Sequence, residues 1–143
     1  MLYFEKFATV EDVINFKQAE TPYRNGVLQV PLTATLLQLI SFMSDYQVGV
    51  VFLYDGQKGN IVSLISERDI MRHIALNELA AFEMPINNLG TREIFTCSPA
   101  DKLKAVAGEM AEHHIRHAAI LGEEGDYIGV ISSSDIELFA GQG

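Results

Sequence analysis

The chain has 143 residues, enough for one compact unit or two small halves. Hydrophobic residues make up 48% and charged residues 20%, which excludes global disorder and requires a packed core. A formal net charge of −9 excludes non-specific nucleic-acid binding, which needs Lys and Arg against phosphate, so any local cluster of basic residues stands out.

The single cysteine, Cys97, cannot close an internal disulfide, which fits a reducing compartment. The opening LYFEKFATVED has neither the basic nor the apolar region of a signal peptide. No apolar run approaches the roughly 20 residues of a membrane span. The expectation is a cytoplasmic protein that binds neither nucleic acid nor membrane.

In chain order, ATVEDVINFKQAE (Ala8 to Glu20) predicts a helix, with Val10, Val13, Ile14 and Phe16 near one face and a Thr9–Asp12 cap. TPYRNG (Thr21 to Gly26) reads as a turn, and VLQV (Val27 to Val30) as a short strand. TATLLQLISFMSDY predicts an amphipathic helix on Leu36, Leu39, Ile40 and Met43. VGVVFLY and IVSLIS are strands around the hairpin turn DGQKGN. ERDIMRHIALNELAAF reads as one helix with Ile70, Ile74 and Leu76 in the core. Pro, two Asn and Gly in EMPINNLGTRE (Glu83 to Glu93) mark a boundary. The order then recurs: strand IFTC, helix ADKLKAVAGEMAEHH, strand HAAIL, turn GEEGD, strand YIGVIS, helix SSDIELFA.

Each half is therefore strand, helix, strand, strand, helix. Leu36 maps to Leu103 and Met43 to Met110 at an offset of 67 residues. After one single-residue gap in the hairpin, Ser66 maps to Ser132, Asp69 to Asp135 and Ile70 to Ile136 at 66. An offset held across several elements is an internal duplication. Halves of this size bury too little surface to be robust alone, so a shared core is expected.

The duplicated order, closed each time by Ser-x-x-Asp at a strand-to-helix junction, resembles the cystathionine-β-synthase (CBS) domain pair, or Bateman module. IVSLISERDIMRHI resembles the family's end-of-repeat signature. TCSPADKLKAVAGEMAEHHIRHAAILGEEGDYIGVISSSDI resembles a nearly complete second repeat. The resemblance covers about Val27 to Ala140. It implies an α/β (α+β) fold of two pseudo-symmetric β-α-β-β-α CBS repeats packed as one module, with an N-terminal helix. The expected parts are an N-terminal helix and turn (1–26), a first repeat (27–82), a linker (83–93) and a second repeat (94–143). It also implies a regulatory role in which AMP, ATP, NAD or S-adenosylmethionine binds between the repeats, often in a homodimer. Some positions depart from the family pattern. Ser63 stands where the family usually has Gly, which Gly129 keeps; HIRHAAI has Ala where Pro is common; QVGVVFL lacks a basic residue.

Two readings of Ser-x-x-Asp stand side by side. In one, Ser caps the helix, the acid at N3 answers the cap N–H, and the acid suits the helix dipole. In the other, the N-terminal N–H groups favour a phosphate, Ser donates to it, and the Asp accepts the cis-diol of a ribose. Asp69 and Asp135 are the ribose candidates, and Ser66 and Ser132 phosphate candidates. By resemblance Arg116 and His117 in HHIRHAAI also meet phosphate, Arg through its planar fork of donors. Arg68 is a further candidate, and Arg72 shares its helix face. A phosphate contact at His117 makes affinity fall as pH rises past the imidazole pKa. By resemblance the base is lined by Gln29 and Val30 in the first half and Thr96, Cys97 and Pro99 in the second, with Val62 and Ile128 packing the ring.

Other chemistries are less well served. His113 and His117 are four apart, the spacing of two metal ligands on one helix, but no Asp, Glu or Cys completes a set. No His is spaced to activate Ser66 or Ser132, and DGQKGN is not a phosphate loop, so no catalytic residue and no required cofactor are expected. The expected function is an adenine-nucleotide sensor, AMP foremost, whose output passes to a separate effector protein. The alternative is a ligand-free dimerisation or docking module.

Overall fold

The structure, a computed structural model, describes residues 7–20 and 27–141. The turn expected at Thr21 to Gly26 lies outside the described residues. The chain forms two compact units: Leu28–Ile94, and the N-terminal segment up to Val27 joined with Phe95–Gly143.

The N-terminal helix α1 (Val10–Glu20) belongs to the second unit. In the first unit, β1 (Gln29–Pro31), α2 (Leu36–Tyr46), β2 (Val50–Tyr54), β3 (Ile61–Ser66) and α3 (Glu67–Asn77) follow one another around one sheet. Strand order is β1-β2-β3. β1 and β2 run parallel, which requires a crossover, and α2 supplies it. β2 and β3 are an antiparallel hairpin with Val50 opposite Ser66. Leu36, Leu39 and Met43 of α2 are buried with Val51, Leu53, Ile65 and Ile70. Thr35 caps α2 through a capping box with Gln38.

The second unit repeats the plan with β4 (Thr96–Cys97), α4 (Leu103–Glu112), β5 (His117–Leu121), β6 (Tyr127–Ser132) and α5 (Ser133–Ala140). β4 is parallel to β5, β5 antiparallel to β6, and His117 lies opposite Ser132. Both hairpins shift register at the same place, after Leu53 and after Ile120. Its core joins Val10 and Val13 of α1 to Leu103, Val106, Met110, Ile131 and Ile136.

The units complete themselves by equivalent means. Leu103 N–H donates to the Ala8 carbonyl at 2.9 Å, and Val10 N–H to the Asp101 carbonyl at 3.0 Å. In the first unit Leu36 N–H donates to the Met84 carbonyl at 3.1 Å, and Ile86 N–H to the Ala34 carbonyl at 3.2 Å. Residues 84–86 thus do for the first repeat what residues 8–10 do for the second, and Ile86 is fully buried. The N–H and carbonyl of Thr91 then pair with those of Leu64. Gly90 makes the turn between: its φ is +82°, and a Cβ there would meet the Leu64 carbonyl oxygen at 2.8 Å.

The long helix expected from Glu67 to Phe82 is corrected. α3 ends at Asn77, Glu78 takes φ 54°, and Glu78–Glu83 forms a 3-10 turn. The break brings Ala81 into the core. Ile70 is buried and Ile74 packs against it, but Leu76 points away and is 82% exposed.

Candidate functional site

Ser66 and Ser132 each end a strand in extended conformation and open a helix. Both make complete capping boxes. Ser66 N–H donates to Asp69 Oδ2 at 2.9 Å and Ser132 N–H to Asp135 Oδ2 at 2.8 Å. In return Asp69 N–H reaches Ser66 Oγ at 3.4 Å and Asp135 N–H reaches Ser132 Oγ at 3.0 Å. The capping chemistry of the phrase is therefore present in both copies. A carboxylate has about four acceptor positions, so a cap N–H leaves capacity for a ligand diol.

The two turns differ in what surrounds them. At the second, Lys17 of α1 places Nζ 3.0 Å from Asp135 Oδ2 and 2.8 Å from the Val130 carbonyl. The side chains of Lys17 and Asp135 are each 27% exposed, so the pair is partly withdrawn from water. α1 is held there by its apolar face and by an edge-on contact of Phe16 with Phe139 of α5, ring centres 5.9 Å apart. Lys17 was no site candidate in the sequence: a lone Lys on a helix is ordinary, and its partner is remote in the chain. At the first turn the Ser66 hydroxyl itself donates to Asp69 Oδ2, at 3.1 Å.

Arg116 and His117 enter β5 beside the second turn, and Ser133 N–H donates to the Arg116 carbonyl at 2.9 Å. Arg116 is exposed and His117 half-buried. Arg68 and Arg72 are exposed on α3. Of the base candidates, Val30 and Cys97 turn their side chains into the cores of their own units, leaving only backbone to meet a ligand. Burial, and to a lesser degree the charge of Asp101, push the Cys97 thiol up to about 12. Gln29 Oε1 accepts from Gly59 N–H at 2.7 Å and so serves the first hairpin. Val62 and Pro99 are half-buried; Thr96 and Ile128 are exposed.

The histidine pair shares no helix face: α4 ends at Glu112, His114 takes φ 56°, and His117 lies in β5. Among the described residues no three His, Cys, Asp or Glu side chains converge as a metal site would require. No helix among them is long and apolar enough to cross a membrane.

The family profile described as CBS domain matches residues 23–76 and 86–138, most of the chain. An uncharacterised protein of Methanocaldococcus jannaschii is 32% identical over 78 residues, covering 54% of this chain and 27% of that one. The chain spans between 16% and 50% of the length of the curated relatives it matches. The fold is similar to the crystal structure of a CBS-domain containing protein from Agrobacterium tumefaciens, with TM-score 0.82, 21% identity, and 98% and 99% of the two chains covered. It is also similar to a CBS domain protein from Pyrobaculum aerophilum complexed with AMP, with TM-score 0.72, 22% identity, and 95% and 100% covered. At these identities the two structures establish the fold.

Proposed function

Because the chain belongs to the CBS-domain family, we propose that it is a regulatory, non-catalytic module that takes an adenine nucleotide, AMP foremost, at its Ser-x-x-Asp turns. The observation that carries this reading is the same turn built twice, each with a carboxylate held in place by a cap N–H. Asp69 and Asp135 take ribose hydroxyls. Ser66, Ser132, Arg68, Arg116 and His117 serve phosphate. Gln29, Val30, Val62, Thr96, Cys97, Pro99 and Ile128 line the base, Val30 and Cys97 through their backbones. The Pyrobaculum aerophilum protein, solved with AMP on the same fold, supports the ligand class.

The module works as a homodimer and signals to a separate effector in the cytoplasm. Exposed apolar side chains on the first unit support a protein partner: Met71, Leu76 and Leu79 are 69%, 82% and 85% exposed. Ligand acts by population shift, favouring the arrangement to which it binds more tightly. Calorimetric titration with AMP tests the reading, with Asp69→Ala and Asp135→Ala beside wild type. Heat of binding lost in one variant supports it; no heat with wild type contradicts it.

A second reading, a docking module without ligand, is favoured by the engagement of both carboxylates in caps and of Asp135 in an ion pair. The same titration separates the two.

A further inference from the structure

The two turns share their capping boxes and a backbone bond but not their charges. Glu67 N–H donates to the Gly49 carbonyl at 3.0 Å, as Ser133 N–H does to the Arg116 carbonyl at 2.9 Å. Val50 lies opposite Ser66 as His117 lies opposite Ser132. Gly49 is therefore the counterpart of Arg116, and Glu67 of Ser133. The exchange is also spatial: a Cβ on Gly49 would lie 3.2 Å from Cδ and Oε1 of Glu67. The Glu67 carboxylate fills the space through which the Arg116 side chain leaves the backbone in the other unit. An anion thus stands in the first turn where a cation leaves in the second. Arg68 follows Glu67 but is exposed, and on a helix adjacent residues point to different faces. Lys17 adds a second cation at Asp135.

We propose that Glu67 sets the ligand charge at the first turn, so that this turn takes adenosine compounds lacking phosphate, which narrows the assignment above by leaving phosphate to Ser132, Arg116 and His117 and not to Ser66 and Arg68, while the second turn takes the nucleotide. The inference rests on the adenosine-ligand reading above. A carboxylate a few ångströms from a phosphate repels it, and Gly49 offers no side chain to offset that repulsion. The same carboxylate attracts a cationic 5′ substituent such as the sulfonium of S-adenosylmethionine. The chemical class at the first turn is therefore an adenosine with an uncharged or cationic 5′ group.

Calorimetric titrations of the full chain with AMP, adenosine and S-adenosylmethionine test this, with Glu67→Gln, Glu67→Ser, Asp69→Ala and Asp135→Ala. Gln keeps the shape of Glu67 and removes only its charge; circular dichroism confirms that each variant folds. In wild type, AMP occupies the site lost in Asp135→Ala, and S-adenosylmethionine the site lost in Asp69→Ala. Both Glu67 variants bind AMP at the first turn tighter by about tenfold, the order expected for removing one like charge at short range. They bind S-adenosylmethionine there more weakly. An AMP site lost in Asp69→Ala, or unchanged AMP binding in both Glu67 variants, overturns the inference and leaves the ligand reading intact. No binding of any of the three compounds to wild type overturns both.

Discussion

Lys17 Nζ and Asp135 Oδ2 lie 3.0 Å apart, joining the N-terminal helix to the first turn of α5. The same carboxylate oxygen accepts the Ser132 N–H, and the same ammonium donates to the Val130 carbonyl. One ion pair thus ties α1, β6 and α5 together. Among the described residues, Asp69 is engaged by its own capping turn alone. After Ile86, the counterpart of Val10, the chain forms a turn at Gly90 and not a helix, and among the described residues no ion pair at Asp69 matches that of Lys17 with Asp135.

Lys17→Met lowers stability by about 1 kcal/mol, the scale of a partly exposed ion pair. Urea unfolding measures it. A Lys17→Met, Asp135→Asn double-mutant cycle should show coupling of at least about 0.5 kcal/mol. Additive effects would mean that the pair contributes nothing.

Removing either capping hydroxyl costs helix stability whether or not a ligand binds. Ser66→Ala and Ser132→Ala should each lose about 1 kcal/mol. A loss seen only in the presence of AMP would show that the hydroxyls serve the ligand and not the cap.

Gly90 should tolerate no side chain. Its φ is +82°, and the Leu64 carbonyl oxygen lies 2.8 Å from the Cβ position. Gly90→Ala is expected to cost more than about 1 kcal/mol, and Gly90→Val more still. Thermal unfolding of the two variants checks the ranking.

How much of this was legible in the sequence divides by range. The duplicated element order was, because alternating apolar runs and helical spacing are local signals. So were both capping boxes, whose partners lie three residues apart. The end of α3 was not. ELAAF continues a good helical composition, and no Gly or Pro announces Glu78 at φ 54°; packing of Ala81 imposes the break. Nor was Ile86 visible as core, since Pro85, Asn87, Asn88 and Gly90 around it signal only a break in pattern. Lys17 and Glu67 depend on partners brought near by the fold. Glu67 reads as an ordinary first-turn acid until Gly49 is seen beneath it.

Cys97 predicts an alkaline weakness. Its thiol is raised from 9.0 to about 12 by burial first and Asp101 second. Between those values the unfolded chain releases the proton and the folded chain keeps it. The stabilisation is present below about pH 9 and is lost as pH rises toward 12, by up to about 1.4 kcal/mol per pH unit. Cys97→Ala should remove that slope in urea unfolding. Iodoacetamide should label the native thiol slowly at pH 8 and quickly once the chain unfolds.

The most direct test is thermal unfolding with AMP, ADP, ATP, NAD and S-adenosylmethionine, for wild type, Asp69→Ala and Asp135→Ala. A ligand at a hundredfold excess over its dissociation constant stabilises the native state by about 2.7 kcal/mol, which raises Tm by several degrees. The expected result is a rise with AMP that Asp135→Ala abolishes. No rise with any of the five would contradict an adenosine sensor and leave Ser-x-x-Asp as two helix caps.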